Sequence, residues 1–290
     1  MSDLIIGLTV VALGTSTPEL TISLMAALDG NAALAVGNVV GSNICNILLI
    51  IGVTAMIRPI PVERSIMTNE IPMVILASLL VLFMGNSTFL DGTANMVTRV
   101  EGLFLLVFFL LFMRYTFAQA RQIKPSDSDP VEENVPEKPL KLWLAVVYIV
   151  GGLAALVWGG DRFVEGASGI ARSLGVSDAL IGLTIVAVGT SLPELAASAV
   201  AAYKGKPGIA IGNVIGSNIF NILLILGASA VVSPLPFGGV TAIDLDVLVA
   251  SAILFWVFGW FFGQRKITRV EGAVMFLVYA GYTAFLVATA

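Results

Sequence analysis

Two short strings that join a carboxylate to hydroxyls are the residues of this chain best suited to chemistry. One is GTSTPE at residues 14–19 and the other is GTSLPE at residues 189–194, each in the middle of a long apolar run. An ionisable side chain at bilayer depth costs free energy unless something compensates it, so Glu19 and Glu194 are functional-site candidates. On a helix, the hydroxyls three and four residues before each glutamate share its face.

The proline before each glutamate, Pro18 or Pro193, has no N–H to donate and is predicted to break the helix there. A helix broken beside a carboxylate is a way for a membrane protein to expose oxygens to a cation. The two strings therefore predict oxygen-rich ion sites in apolar surroundings.

The composition predicts an all-α membrane protein that crosses the bilayer many times. The 290 residues are 58% hydrophobic and 12% charged, whereas a soluble domain carries roughly 25% charge. Apolar segments near the ~20 residues needed for one crossing lie at 4–28, 34–57, 71–85, 100–118, 140–159, 179–202, 209–232, 245–262 and 270–289. These are nine candidate helices. No nucleophile–base pair or nucleotide loop is present, so we expect no enzyme, and the absence of histidine excludes imidazole ligands.

The chain contains an internal repeat. Displaced by 175 residues, residues 1–20 match 176–195 at 14 of 20 positions, and 34–52 match 209–227 at 14 of 19. The second matching region carries GNVVGSNICN at 37–46 in the first copy. The copies of the glutamate helix are spans one and six. Because each span takes the chain to the other side of the membrane, a separation of five spans means that the copies enter the membrane from opposite sides. Such an inverted-topology repeat places a substrate site near the midplane.

The repeated segments supply oxygen donors only. Ser42 and Asn46 are four residues apart, as are Ser217 and Asn221, which adds a hydroxyl and an amide from each copy. Hard cations such as Ca²⁺ take six to eight oxygen ligands, whereas zinc, copper and nickel prefer nitrogen or sulfur. Two ionised glutamates facing each other would need a cation or protons at all times. A site that cannot return empty must carry something back, which favours exchange.

Other polar residues have simpler interpretations. The GxxxG pairs at 37–41 and 212–216 are predicted to let helices pack closely. Lone cysteine Cys45 is predicted to be a packed thiol, since it has no disulfide partner. Ion ligands or clasps between helices are the two roles considered for Asn38, Asn43, Asn213 and Asn218, and we favour clasps. We expect solvated acids near loop ends at Glu63, Glu70, Asp244 and Asp246.

Charge and composition predict an orientation and a linker. With the N-terminus inside, the inner side holds twelve of the 15 basic residues, which the positive-inside rule favours. The C-terminus is then outside. We divide the chain into a first repeat at 1–118, a polar cytoplasmic linker at 119–139, and a second repeat at 140–290. The second copy is preceded by the span at 140–159, which has no counterpart before the first.

The strings GTSxPE and GNxxGSNI, present twice and inverted, resemble the alpha repeats of the calcium/cation antiporter superfamily, and among these the prokaryotic Na⁺/Ca²⁺ exchangers. The resemblance covers nearly the whole chain. It implies ten helices in two inverted sets of five, so about nine are expected here, with the family's first helix absent. Carried over by position, it implies ion ligands at Thr15, Ser16, Glu19, Ser42, Asn46, Thr190, Ser191, Glu194, Ser217 and Asn221, and at the backbone carbonyls of Ala12 and Ala187.

The resemblance implies a secondary antiporter that exchanges Ca²⁺ for Na⁺ across the cytoplasmic membrane. Its expected partners are the lipid bilayer and the two transported ions, with no cofactor and no nucleic acid. Asn221 stands where the family's well-known exchangers have aspartate, so the site has two formal negative charges instead of three. The alternatives are an H⁺/Ca²⁺ or other cation antiporter, a cation channel, or a membrane subunit that does not transport.

Overall fold

Twelve helices and four very short strands make up the described part of the chain. The computed structural model describes residues 2–90, 92–122, 142–262 and 265–289. In chain order the helices are α1 (Asp3–Thr15), α2 (Thr17–Leu28), α3 (Ala32–Ile57), α4 (Ile66–Gly85), α5 (Ser87–Leu90), α6 (Arg99–Gln122), α7 (Leu142–Ser173), α8 (Asp178–Thr190), α9 (Leu192–Tyr203), α10 (Pro207–Val232), α11 (Ala242–Phe261) and α12 (Arg269–Ala288). The strands are β1 (Ile60–Pro61), β2 (Met96–Val97), β3 (Leu235–Pro236) and β4 (Lys266–Ile267).

The helices confirm the predicted all-α membrane fold. Among the described residues, 6 straight helices are long and apolar enough to cross a bilayer, and two bent pairs bring the count to 8. The bent pairs are α1 with α2, at 45°, and α8 with α9, at 42°. Helix α7, of 32 residues, begins within the predicted span 140–159 and continues well beyond it.

Both bends lie at the predicted prolines. Ser16 and Ser191 leave the helical conformation, with ψ of 8° and 6°. The next helix begins one residue later with Pro18 or Pro193 in its first turn. Because proline needs no donor partner there and its φ already suits a helix, it starts a new helix efficiently. The bend therefore leaves each glutamate in the first turn of α2 or α9.

Five π-helical turns interrupt the α-helices of the described chain. Four form pairs related by the repeat, at Gly7–Val11 with Gly182–Val186 and at Cys45–Ile50 with Phe220–Leu226. The fifth, Ile66–Glu70 at the start of α4, has no equivalent in α11, which is α-helical throughout. Such turns insert one residue into a helix and are frequent at functional sites.

The short strands tie the two copies together at both ends of the molecule. β1 pairs antiparallel with β4, with Ile60 opposite Ile267, and β2 pairs with β3, with Val97 opposite Leu235. The pairings define a β1–β4 face, where α3 and α11 end and α4 and α12 begin. The opposite end is the β2–β3 face, where α4 and α10 end. Segments of both copies thus meet at each face, as an inverted repeat requires.

Helix capping explains a further string that occurs in both copies. RVEG opens α6 at 99–102 and α12 at 269–272. Glu101 accepts the Thr98 amide at 2.7 Å, and Glu271 accepts the Thr268 amide at 2.8 Å. Each pair is a capping box that satisfies amides at the start of the helix.

Glycines bring the helices of the two copies into close contact, as the GxxxG spacing predicted. A methyl group on Gly41 would lie 2.5 Å from the Leu183 carbonyl oxygen, and one on Gly216 would lie 2.8 Å from the Leu8 carbonyl oxygen. Helix α3 therefore packs on α8, and α10 packs on α1. The candidate ligands lie on or at the ends of six helices, α1, α2, α3, α8, α9 and α10, which form the centre of the molecule.

Helix α7 makes the two copies unequal. It lies against α8 and α9, where Phe163 and Val164 contact Gly189. In residues 2–122 no helix takes the equivalent place beside α1. Val10 and Leu13 are accordingly 66% and 52% exposed, while their repeat equivalents on α8 are only partly exposed.

The structure can be compared with three further predictions, on the linker, the cysteine and the acids near loop ends. Helix α6 continues to Gln122, so the first residues of the predicted linker 119–139 are helical, and 123–139 lies outside the described residues. Cys45 is a buried free thiol, as expected. The prediction of solvated acids holds for Glu63 and Asp246 but is wrong for Glu70 and Asp244, which are 1% and 2% exposed.

Candidate ion-binding site

Each of the two glutamates accepts a hydrogen bond from the serine that lies three residues before the other glutamate. Glu19 and Glu194 lie in the first turns of α2 and α9 and are 0% exposed. Ser16 Oγ donates to Glu194 Oε1 at 3.0 Å, and Ser191 Oγ donates to Glu19 Oε1 at 3.1 Å. Each carboxylate thus receives its hydroxyl from the other copy, and the helix N-terminus adds a favourable dipole.

Asparagines connect this pair to the neighbouring helices. Thr15 Oγ1 donates to Asn213 Oδ1 at 3.1 Å, and Thr190 Oγ1 donates to Asn38 Oδ1 at 3.3 Å. The amide of Asn38 donates to Ser23 Oγ at 2.9 Å. Asn213 makes the equivalent bond to Ser198, at 3.0 Å. Asn38 and Asn213 therefore clasp the helices, as predicted.

Asn43 and Asn218 do not clasp different helices. Their amides donate to the Val39 and Val214 carbonyls four residues earlier in the same helix, at 2.7 and 2.8 Å. The prediction of clasps was wrong for these two, because a side-chain amide in a helix can reach its own backbone.

Sequence reasoning missed Ser23 and Ser198. Both lie four residues after their glutamate and match under the 175-residue displacement, and that repeated spacing could have identified them. Both are 0% exposed. They orient the asparagine amides and so belong to the supporting layer of the site.

Ser42 and Ser217, which belong to the repeated strings of the form GNxxGSNI, reach the same centre through different hydrogen bonds. Ser217 Oγ donates to Glu194 Oε1 at 3.4 Å. Ser42 Oγ donates to Asn38 Oδ1 at 3.4 Å, and lies 3.4 Å from Thr190 Oγ1 and 3.5 Å from the Ala187 carbonyl. Both serines are thus within the network that surrounds the glutamates.

The carbonyls of Ala12 and Ala187 face this network without being released from the helix. The Ala12 carbonyl accepts the Ser16 amide at 2.9 Å and the Thr15 hydroxyl at 3.4 Å. The Ala187 carbonyl accepts the Ser191 amide at 3.2 Å and the Thr190 hydroxyl at 3.4 Å. An ion at either carbonyl would therefore compete with a hydroxyl for its lone pairs.

In this region, besides Oδ1 of Asn43 and of Asn218, six buried polar atoms have no hydrogen-bond partner. They are Oε2 of Glu19 and of Glu194 and the amide oxygen and nitrogen of Asn46 and Asn221. Both asparagines lie in the paired π-helical turns. Buried polar groups without partners are rare and call for an explanation such as a bound ion or water.

The donor set suits a hard cation. No cluster of three or more His, Cys, Asp or Glu side chains occurs in the part of the chain that the structure describes. Two carboxylates are instead combined with neutral hydroxyl, amide and carbonyl oxygens. Oxygen-only coordination by few carboxylates fits a hard alkali or alkaline-earth cation better than a transition metal.

Comparison with known proteins identifies the family. The sequence model of the sodium/calcium exchanger proteins matches residues 1–118 and 144–288. This chain belongs to the sodium/calcium exchanger protein family. As a member of this family it is a membrane transport protein, a cation/Ca²⁺ antiporter, and the family is one of transporters and not of enzymes.

Individual members of the family are similar over almost the whole chain. CaxA of Alkalimonas amylolytica is 41% identical over 290 aligned positions, which cover 99% of this chain and 88% of that protein. The sodium/calcium exchanger MaX1 of Methanosarcina acetivorans is 35% identical over 317 aligned residues, covering 99% of this chain and 89% of that protein. A solved structure of the sodium-calcium exchanger NCX_Mj is similar with a TM-score of 0.76 and 32% identity, covering 98% of this chain and 87% of that one.

Proposed function

We propose that this family member is a secondary active antiporter that exchanges Ca²⁺ for Na⁺ at the centre where α2, α3, α9 and α10 meet. The observation that carries the proposal is the reciprocal pairing of Glu19 and Glu194 through Ser191 and Ser16, with one oxygen of each carboxylate left without a partner. The names of MaX1 and NCX_Mj support the choice of ions.

The proposed ligands are oxygens from both copies. Glu19 and Glu194 supply the charge, and the other donors are Thr15, Ser16, Ser42, Asn46, Thr190, Ser191, Ser217 and Asn221, with the carbonyls of Ala12 and Ala187. Ca²⁺ takes six to eight oxygens at about 2.3–2.6 Å in flexible geometry. The set is large enough to serve Ca²⁺ and Na⁺ with overlapping subsets, so the two ions would compete for the same carboxylates.

Burial of the carboxylates explains why transport would be exchange. Moving an unpaired charge out of water costs several kcal/mol in real proteins, and here two like charges would face each other. Changing access from one face to the other with an empty, ionised site would therefore cost too much free energy. The site can become accessible at the first face again only with a counter-ion bound, and this requirement couples the two fluxes.

The experiment is Ca²⁺ uptake into proteoliposomes that contain the purified chain, with a Na⁺ gradient imposed and the pH clamped on both sides. We expect uptake that follows the Na⁺ gradient, is lost in Glu19→Gln and persists in Glu63→Gln, since Glu63 is an exposed acid away from the centre. Uptake driven only by a proton gradient would replace Na⁺ by H⁺ in the proposal. Current without counter-ion movement would show a channel and overturn it.

We also propose that the chain lies in the cytoplasmic membrane with its first helix starting inside and its last ending outside. The β1–β4 face would then be cytoplasmic. The excess of basic residues in the segments at that face supports this orientation, among them Arg58, Arg64, Lys204, Lys206, Arg265 and Lys266.

A further inference from the structure

A second buried carboxyl group lies outside the ion centre, near the β1–β4 face. Glu70 ends the unpaired π-helical turn of α4 and is 1% exposed. Neither oxygen of its carboxyl group has a hydrogen-bond partner. Among the acids of the described chain, only Glu70 has both oxygens buried and unpartnered.

The repeat shows which residue of the second copy is equivalent to Glu70. Ile60 and Leu235 begin the equivalent strands, 175 residues apart, and Gly85 and Gly259 lie near the ends of α4 and α11, 174 residues apart. The first copy is therefore one residue longer between these points, which is what a π-helical turn inserts. After this insertion, Glu70 is the equivalent of Asp244.

Asp244 is also buried, but its carboxylate is fully hydrogen-bonded. Oδ2 accepts the Thr241 amide at 2.7 Å and the Thr241 hydroxyl at 2.8 Å, and Oδ1 accepts the Tyr282 hydroxyl at 2.8 Å. Asp244 thereby caps α11 and connects it to α12. Its charge is held by three donors.

The two side chains that donate to Asp244 are replaced by hydrocarbon side chains in the first copy. Thr241 is matched by Ile66 under the 175-residue displacement, and Tyr282 by Phe112 under the 170-residue displacement of the RVEG helices. Ile66 and Phe112 are each 1% exposed. The first copy thus keeps the acid of the second and lacks these two hydroxyls, and the hydroxyl that lies beside Glu70 is instead that of Tyr115 on α6.

Among the side chains that the structure describes, no basic group forms an ion pair with Glu70. The two ion pairs of the described residues, Arg162 with Glu165 and Arg172 with Asp178, do not include it. The titratable groups near Glu70 are Glu63, seven residues earlier and before the start of α4, and Tyr115 on α6. Helix α11, which packs on this turn, has no titratable side chain after Asp246. An ionised carboxylate left in such a place would cost several kcal/mol, which favours the protonated form.

We propose that Glu70 is a proton-binding site of the β1–β4 face, closed over by Tyr115. The Tyr115 side chain is 36% exposed, lies beside Glu70 and accepts a hydrogen bond from Gln119 at 3.3 Å. When Tyr115 moves aside, water reaches the carboxyl group and takes its proton, leaving a hydrated carboxylate. Because that charge cannot return to the buried position, proton release keeps the Tyr115 side chain displaced. Protons at this face thereby favour the closed arrangement.

Infrared spectroscopy of the full chain tests this without any transport measurement. At neutral pH we expect a protonated carboxyl C=O band that is lost in Glu70→Gln and retained in Glu63→Gln. Phe112→Tyr with Ile66→Thr keeps Glu70 and restores the two donor types of the second copy, so this variant should show the same loss of the protonated band. A wild-type band that survives in both Glu70→Gln and the double variant would overturn the proposal.

A transport measurement tests the consequence and rests on the proposed antiport. The initial rate of Ca²⁺ uptake should depend on the pH of the β1–β4 face in the wild type and in Glu63→Gln. It should depend on that pH less in Glu70→Gln, where only the titration of Glu19 and Glu194 remains. An unchanged pH profile in Glu70→Gln would refute the regulatory role. If no variant and no wild type takes up Ca²⁺, the proposed function fails, and the infrared result still decides the proton site.

Discussion

At the scale of single residues, the centre depends on side chains that each copy presents to the other. Ser16 and Ser191 are placed at the bends, where a residue outside both helices can point its hydroxyl across the interface. The identity of most candidate ligands could be predicted because the same types recur at the same spacing in both copies. The burial of Glu70 and Asp244 could not, because it depends on packing between α4 or α11 and helices distant in sequence.

Removing one of the two reciprocal hydroxyls should weaken ion binding. In Ser191→Ala, Glu19 Oε1 loses its donor, and a hydrogen bond to a charged group is worth about 1.5–3 kcal/mol. We expect the Ca²⁺ concentration for half-maximal uptake to rise by about tenfold or more, since 1.4 kcal/mol is a factor of ten. Thr17→Ala is the control, because the Thr17 hydroxyl is exposed and donates only to the Leu13 carbonyl four residues earlier. Equal uptake curves for the two variants would contradict this role of Ser191.

The charge of the centre predicts how exchange responds to voltage. With Glu19 and Glu194 as its only ionisable ligands, one Ca²⁺ is balanced by two monovalent ions, and wild-type exchange should carry little net charge. Asn221→Asp adds a third carboxylate and should produce a transport current. Recording currents from proteoliposomes checks both, with Asn221→Ser as the uncharged control. A robust voltage-dependent current in the wild type would refute the charge balance.

At the scale of helices, the bends and the close contacts place the ligands. The bend at Ser16 could be predicted from Pro18, since proline removes a donor and its effect is local. The five π-helical turns could not, because nothing local distinguishes their sequences from those of ordinary apolar helices. The strands were also missed, since a strand of two residues is too short to show an alternation of side chains.

Close packing of α10 on α1 should make Gly216 intolerant of a side chain. In Gly216→Ala, the new methyl group would meet the Leu8 carbonyl at 2.8 Å and the Ala12 side chain at 2.7 Å. Backbone must shift to relieve this contact, and overpacking of this kind costs about 1–3 kcal/mol. We expect a lower unfolding temperature in detergent. Gly151→Ala, in α7 with nothing within 4 Å, should unfold at or slightly above the wild-type temperature, and equal shifts in both variants would disprove the packing argument.

At the scale of the whole molecule, the inverted repeat determines which loops share a side. Inversion could be predicted from the odd number of spans between the copies. The pairing of β1 with β4 and of β2 with β3 could not, since it joins residues about 200 and 140 positions apart, for which the sequence has no local signal.

Cysteine labelling in sealed vesicles should show this sidedness. In a Cys45→Ala background, Glu63→Cys and Lys266→Cys lie on the β1–β4 face and should react with a membrane-impermeant thiol reagent from one side only. Phe89→Cys, at a position 90% exposed in α5 near the β2–β3 face, should react from the other. The positive-inside rule places the first two in the cytoplasm. Labelling of Glu63→Cys and Phe89→Cys from the same side would contradict the fold.

The crossed serine–glutamate bonds have a consequence for the order of events in transport. Any movement that draws α9 away from α2 lengthens both bonds together, because each joins one half of the protein to the other. A centre with one intact bond and one broken bond is therefore disfavoured. Ions should therefore bind to the two glutamates, and leave them, at the same time in a single concerted step.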